Sequence, residues 1–465
     1  MNLIRTLLIL LMATVFTTAC RKRNVGELAD NLVNFEYATQ GLEEANNSIL
    51  LKVKLVRPTD KDIAVTINLT EAGLAYGVKY ATTPAAVSGK LNIIIPSGNN
   101  EASFTVSKIA GALFDGDEKL VLDLFSSASP IFIGATRQLT LTFKELVATT
   151  ASLVINGGGT TYGNKVFIDL SANRQTPVLR TTWDLGFYTG TDDYRVTLNS
   201  SSAMMARQLN KTDLTTVTAA DTTGFSASVV FNQTAPTVTS LPYIDYPNGD
   251  LTRTAIATIS SIPADNKVYI VNRGIGVGTP APARGWKKIR ILRNAAGGYT
   301  LQHADIAATS FSSIDIAKDD AMFFKYISFE SGAVAVEPVK KKWDLAWTYF
   351  SNVTNFGSGE VPYLFQDMML INRNVQIAKV LVAAKQFVDF NQADIAAQTF
   401  LTTQNAIAAD WRSGGGPGTL PAVRTDRYYI IKDGDNNYYK LRFTALTQNG
   451  DRGYPAYESV LVKRG

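Results

Sequence analysis

The sequence predicts an all-β protein, a β-sandwich followed by two related β-rich domains in tandem. Short runs alternate apolar and polar residues at period two. Turn residues recur about every ten residues, with few stretches keeping a helical period beyond three turns. The second half of the chain also repeats itself. Thr, Ser, Val, Ala, Gly and Tyr dominate, a composition that suits pleated sheets and tight turns.

Taken in order, the first element is an export signal. Met1-Asn2-Leu3-Ile4-Arg5 supplies one positive charge, and Leu7 to Phe16 supplies an apolar stretch that ends in Thr17-Thr18-Ala19-Cys20. The stretch is shorter than the ~20 apolar residues of a spanning helix, so residues 1–20 read as a removable signal peptide. Small residues before a cysteine resemble the lipobox of bacterial lipoproteins, with Thr17 where Leu is usual. That resemblance implies a diacylglyceryl group on Cys20, the only cysteine, and two acyl chains suffice for stable anchoring. It places the chain at the outer membrane. Arg21-Lys22-Arg23 stand where surface-exported lipoproteins often carry acidic residues, which favours the periplasmic face without deciding it.

The 446 residues from Cys20 to Gly465 suggest about three domains. The lack of further cysteines excludes disulfides, thiolate metal sites and cysteine nucleophiles. A net charge of +5, with no basic element studded by aromatics, gives no footprint for nucleic acid.

Residues 26–146 form the first domain, with strands such as Ser48 to Val56 and Ile63 to Leu69 alternating as one-face-buried strands do. Asp115-Gly116-Asp117-Glu118, followed by Lys119 to Leu124, resembles the late acidic turn and strand of a Calx-β-type domain. The resemblance implies calcium through clustered carboxylates, for which Glu43, Glu44, Asp115, Asp117 and Glu118 are the candidates. Calcium is nonetheless not expected. The family's earlier Gly-x-Asp-Tyr turn here reads Gly77-Val78-Lys79-Tyr80, an ammonium where a hard oxygen is needed.

The repeat follows the loop Asn156 to Thr161. Trp183-Asp184-Leu185-Gly186-Phe187 returns as Trp343-Asp344-Leu345-Ala346-Trp347, and Val268 to Val271 as Tyr428 to Ile431, each 160 residues on. Trp286 to Ile291 matches Tyr438 to Phe443 at 152, because the first copy carries an extra loop around Gly276 to Ala283. Val166 to Ser171 and Lys325 to Glu330 precede the two Trp-Asp pairs. These matches define copies at 151–310 and 311–465. Trp and Leu of the motif share one strand face and read as core anchors, with Asp on the other. Lys288, Arg290, Lys440 and Arg442 alternate with apolar residues and are expected on the outer face of a sheet.

This order of motifs resembles the HmuY family of haem-binding lipoproteins, in two tandem copies. Tyr194 to Ser202 resembles the family's strand ending in an Asn-plus-glycine loop, with serines for glycines, and Asn352 to Gly359 is its looser match in the second copy. The resemblance implies haem or another tetrapyrrole held by two axial histidines or methionines. It implies as further partners the membrane, through the lipid, and an outer-membrane transporter or a host protein. His303 is the only histidine, which excludes bis-His ligation within the chain. Thioether sulfur is an acceptable haem ligand, and Met204, Met205, Met368 and Met369 are the axial candidates, with Met322 and His303 weaker. Adjacent strand residues face opposite sides, so one of each pair at most could reach a pocket; methionine is also a common core filler. The expected function is therefore non-catalytic haem binding for iron acquisition. The rival is an adhesion or assembly lipoprotein whose tandem domains bind a protein or polysaccharide. An enzyme is disfavoured, since one histidine and no free thiol leave the usual nucleophile and base pairs unavailable.

Overall fold

A computed structural model of the chain describes residues 29–44, 46–145, 147–415 and 418–465. The signal segment and Cys20 lie outside the described residues. Among the described residues no helix is long and apolar enough to cross a membrane. The chain divides into two compact units after residue 146.

The first unit packs two five-stranded sheets face to face. One runs in the order Tyr80–Thr83, Glu101–Lys108, Ser48–Leu55, Leu32–Phe35, Phe132–Ile133; the other Thr39–Leu42, Gln138–Phe143, Lys119–Ser127, Ile63–Ala72, Lys90–Ile95. Alternation decides which side chains meet: Leu91, Ile93 and Ile95 point inward while Lys90, Asn92 and Ile94 are exposed. The inward residues of both sheets, among them Leu51, Val53, Val65, Ile67 and Phe104, merge into one buried core, as in a β-sandwich.

At the acidic end, Glu118 is buried, accepts from the Asp115 N–H at 3.0 Å and pairs with the Lys79 ammonium. Lys108 donates to the carbonyl oxygens of Glu43 and Glu44. Among the described residues no three His, Cys, Asp or Glu side chains gather as a metal-ligand set.

The second unit holds both copies, and its strands do not close within the copies that the sequence defines. Asn164–Asp169, from the first copy, pairs with Leu345–Asn355, the Trp-Asp strand of the second. Phe324–Ser328, from the second, pairs with Leu185–Tyr188, the Trp-Asp strand of the first. The edge strands follow suit, since Thr150–Val154 pairs with Asp451–Lys463 and Ser312–Ile316 pairs with Tyr299–Ala304. One half is therefore contiguous, from Leu185 to Val334, and the other is split, built from 150–179 and 345–463. Each half has a five-stranded and a four-stranded sheet in matching order.

The two cationic strands depart from the expected outer face. Lys288 and Lys440 are buried beneath loops that cover the sheets, because their ammonium groups satisfy loop carbonyls: Lys288 donates to Val217 and Ala308, and Lys440 to Phe387 and Phe390, at 2.6–2.9 Å. Arg290 likewise donates to the carbonyls of Asn266 and Pro263, while Arg442 stays outside and pairs with Glu458. A buried ammonium needs such acceptors.

Candidate functional site

The Trp-Asp motif is a latch, made the same way twice. The Asp184 N–H donates to the Ile327 carbonyl and its carboxylate accepts the Phe329 N–H; Asp344 does the same with Ile168 and Leu170, at 2.7–2.9 Å. An asparagine completes each latch. Asn199 donates to the carbonyls of Arg180 and Trp183, and Asn372 to those of Lys340 and Trp343. The counterpart of Asn199 is thus Asn372. The Asn352 to Gly359 segment is instead the end of the long hairpin of Leu345–Asn355 with Glu360–Ile371, an extension that hid the match from spacing alone.

The latches differ in charge. Asp184 is held by Arg273, through Nε and Nη2 at 2.9 and 3.1 Å, and by Arg284 at 2.9 Å. The position of Arg273 is Asp433 in the second copy. There burial, and then the neighbouring Asp169 and Asp433 charges, push the Asp344 carboxyl well above its ordinary range.

Trp183 and Trp343 are brought by these latches to one cleft between the halves, floored by Phe324, Tyr326 and Phe350. Hydrogen bonds from Thr348 to Ser201, at 2.9 Å, and from Ser351 to the Ser200 carbonyl, at 3.0 Å, tie the halves beside it. The cavity measures about 90 Å³. Room for one water takes ~10–15 Å³ on this scale, so it accommodates roughly six to nine waters.

Its charged groups are unevenly satisfied. Glu337 accepts the Phe324 N–H at 2.9 Å and the Tyr326 hydroxyl at 3.0 Å, and burial pushes it up to about 7. Asp245 accepts the N–H groups of Leu198 and Ala255, and burial pushes it too up to about 7. Lys165 lies over the rings of Phe167 and Trp183, 5.1 and 5.6 Å from their centroids. Burial pushes its ammonium down to about 8, against an opposing pull from Glu337. Nothing in the sequence singled out Lys165, Glu337 or Asp245, which are far apart in the chain and belong to no motif.

The family model described as HmuY protein matches residues 161–292 and 321–458, one stretch in each copy. The chain belongs to the HmuY family. Among solved structures, the apo form of the Calx CBD1 domain is 16% identical over 25% of this chain and 96% of its own, with a TM-score of 0.22. A protein from Bacteroides ovatus, provisionally assigned as carbohydrate binding, is 12% identical over 73% of this chain and 98% of its own, with a TM-score of 0.22. A protein from Bacteroides vulgatus, provisionally assigned as HmuY-like and heme binding, is 10% identical over 68% and 94%, with a TM-score of 0.19. Among curated proteins none matches this chain.

The methionines of this HmuY pair lie in four different places. Met204 packs with Leu185 and Phe187, Met205 with Leu214 and Phe225, and Met369 with Trp347 and Trp411. Met368 joins the aromatic cluster beneath the cleft. All four are buried and none lines the cavity. Nor are the pairs equivalent: Met368 and Met369 sit opposite Thr348 and Trp347, whereas Met205 sits opposite Asn272 in another sheet. His303 is buried against Phe329 in a five-stranded sheet, its imidazole pushed down by burial and by Lys287. Haem iron needs donors converging on one cavity, and these residues do not provide two. The cavity is also far smaller than the ~300–1,000 Å³ typical of sites for ligands of that class.

Proposed function

We propose that the chain is a lipid-anchored, non-catalytic binding protein of the outer membrane whose two HmuY-type halves take a small polar ligand into the cleft between them. The convergence of Trp183 and Trp343 on one cavity carries this reading, because a pair of duplicated latches that meet there gives the duplication a use. The HmuY family is one of binding proteins, and the anchor is the lipid expected on Cys20. This reading differs from both functions expected from the sequence, haem binding and an adhesion or assembly lipoprotein that binds a protein or polysaccharide. The scattered methionines weigh against methionine-ligated haem, and a cavity of about 90 Å³ suits a small ligand.

The family itself favours a second reading, carriage of haem or another tetrapyrrole for iron acquisition. A titration of the purified chain with ferric and ferrous haem decides between them. The expected result is no Soret shift in either redox state. A saturable shift that is lost when Met204, Met205, Met368 and Met369 are changed to leucine, with the fold kept, would reinstate the haem reading.

A further inference from the structure

We propose that the cleft recognises a carboxylate-bearing sugar of single-residue size, a uronate, with Lys165 receiving the carboxylate. The inference rests on the cleft reading above and gives its ligand a chemistry.

The argument is one of unspent hydrogen-bonding capacity. The cleft's buried acids are occupied by the protein: Glu337 by Phe324 and Tyr326, Asp245 by Leu198 and Ala255. Its donors are not. Among the described residues the Lys165 ammonium has ring contacts but no hydrogen-bond acceptor, and Trp343, 6% exposed, has a buried indole N–H without a partner. The buried Trp343 donor left unpaired is costly, and the half-buried Lys165 ammonium adds positive charge to the same cavity, so the wall is complementary to an acceptor bearing negative charge. The aromatic faces beside Lys165 stabilise its cation without consuming its three N–H groups.

The rest of the lining selects the body of the ligand. Thr197 and Thr254 donate their hydroxyl protons to the carbonyls of Gly186 and Ile256, which leaves oxygen lone pairs as acceptors, and Gln404 adds an amide. Such a wall suits a polyhydroxylated ring. Space for roughly six to nine waters is the space of one sugar residue, not of a chain interior or a tetrapyrrole.

The test is a tryptophan-fluorescence titration of the full chain with D-glucuronate. Acetate is the carboxylate without a ring, and D-glucose is the ring without a carboxylate. Glucuronate is expected to give a saturable change, with acetate and glucose each weaker by about tenfold or more, equivalent to about 1.4 kcal/mol. Lys165→Met is expected to bring glucuronate down to the level of glucose, while Lys165→Arg retains part of the difference. Equal binding of glucose and glucuronate, or full binding by Lys165→Met, would overturn the assignment. Leu251→Trp, which fills the cavity, separates the two levels of argument. Glucuronate binding that withstands Lys165→Met but is lost in Leu251→Trp leaves the cleft reading standing; binding that withstands both overturns the cleft reading as well. No saturable response to glucuronate also overturns the assignment.

Discussion

At the scale of the residue, Lys165 joins stability to binding. Its folded value, about 8, lies below the ordinary 10.5, so between those values the unfolded chain binds more protons than the folded one. Stability then rises with pH across that window, and below it the charged form carries its burial cost. Lys165→Met is therefore expected to melt higher than the parent at pH 7 in a thermal scan, even as it loses affinity for an acidic ligand. An equal or lower melting temperature would show that the ammonium carries no such cost. Glucuronate binding by the parent should weaken as pH rises through about 8, where the cation is lost. The methionines make the opposite case. Because each is enclosed in a core, leucine substitutions should cost less than ~1.5 kcal/mol and alanine substitutions ~2–5 kcal/mol, as read from urea denaturation. Equal tolerance of both would point to an open site instead.

At the scale of the element, the latch explains why parts of the fold were legible in the sequence and others were not. Trp-Asp-Leu and the Tyr-rich strands recur at fixed spacing because they hold the same sheet positions twice, and alternation marks strands because one face is packed. The loops over Lys288 and Lys440 left no periodic trace, so those lysines read as exposed. Adjacent methionines near the repeat spacing looked equivalent, but the longer hairpin in the second copy had shifted the register. Gly274 shows how tightly a latch is fitted. It has φ of +70°, and a Cβ there would stand 1.8 Å from the Ser202 carbonyl oxygen. Gly434, its counterpart 160 residues on, would meet the flexible end of Asn374 at ordinary φ. Gly274→Ala should therefore cost at least ~2 kcal/mol, and Gly434→Ala distinctly less, in paired denaturation curves. A reversed order would contradict the fitted latch.

At the scale of the whole second unit, the pairing of strands across copies makes a prediction about which pieces fold. A fragment of residues 151–310, one full copy by sequence, would contain Asn164–Asp169 and Arg174–Leu179 without the Leu345–Asn355 strand beside them. It would also leave Leu185–Tyr188 without Phe324–Ser328, and Tyr299–Ala304 without Ser312–Ile316. Open, apolar strand edges of that kind favour aggregation over folding. A fragment of residues 181–341 keeps both of those strand partners and the core around Leu185, Phe187, Ile289 and Ile327. It should unfold cooperatively, though at a lower temperature than the whole chain, because Trp183 and Tyr326 lose the aromatic cluster shared with the split half. Circular dichroism melts of the two fragments check this directly. A cooperative transition in 151–310 and none in 181–341 would mean that the halves close within the sequence copies, and the exchange of strands between them would have to be abandoned.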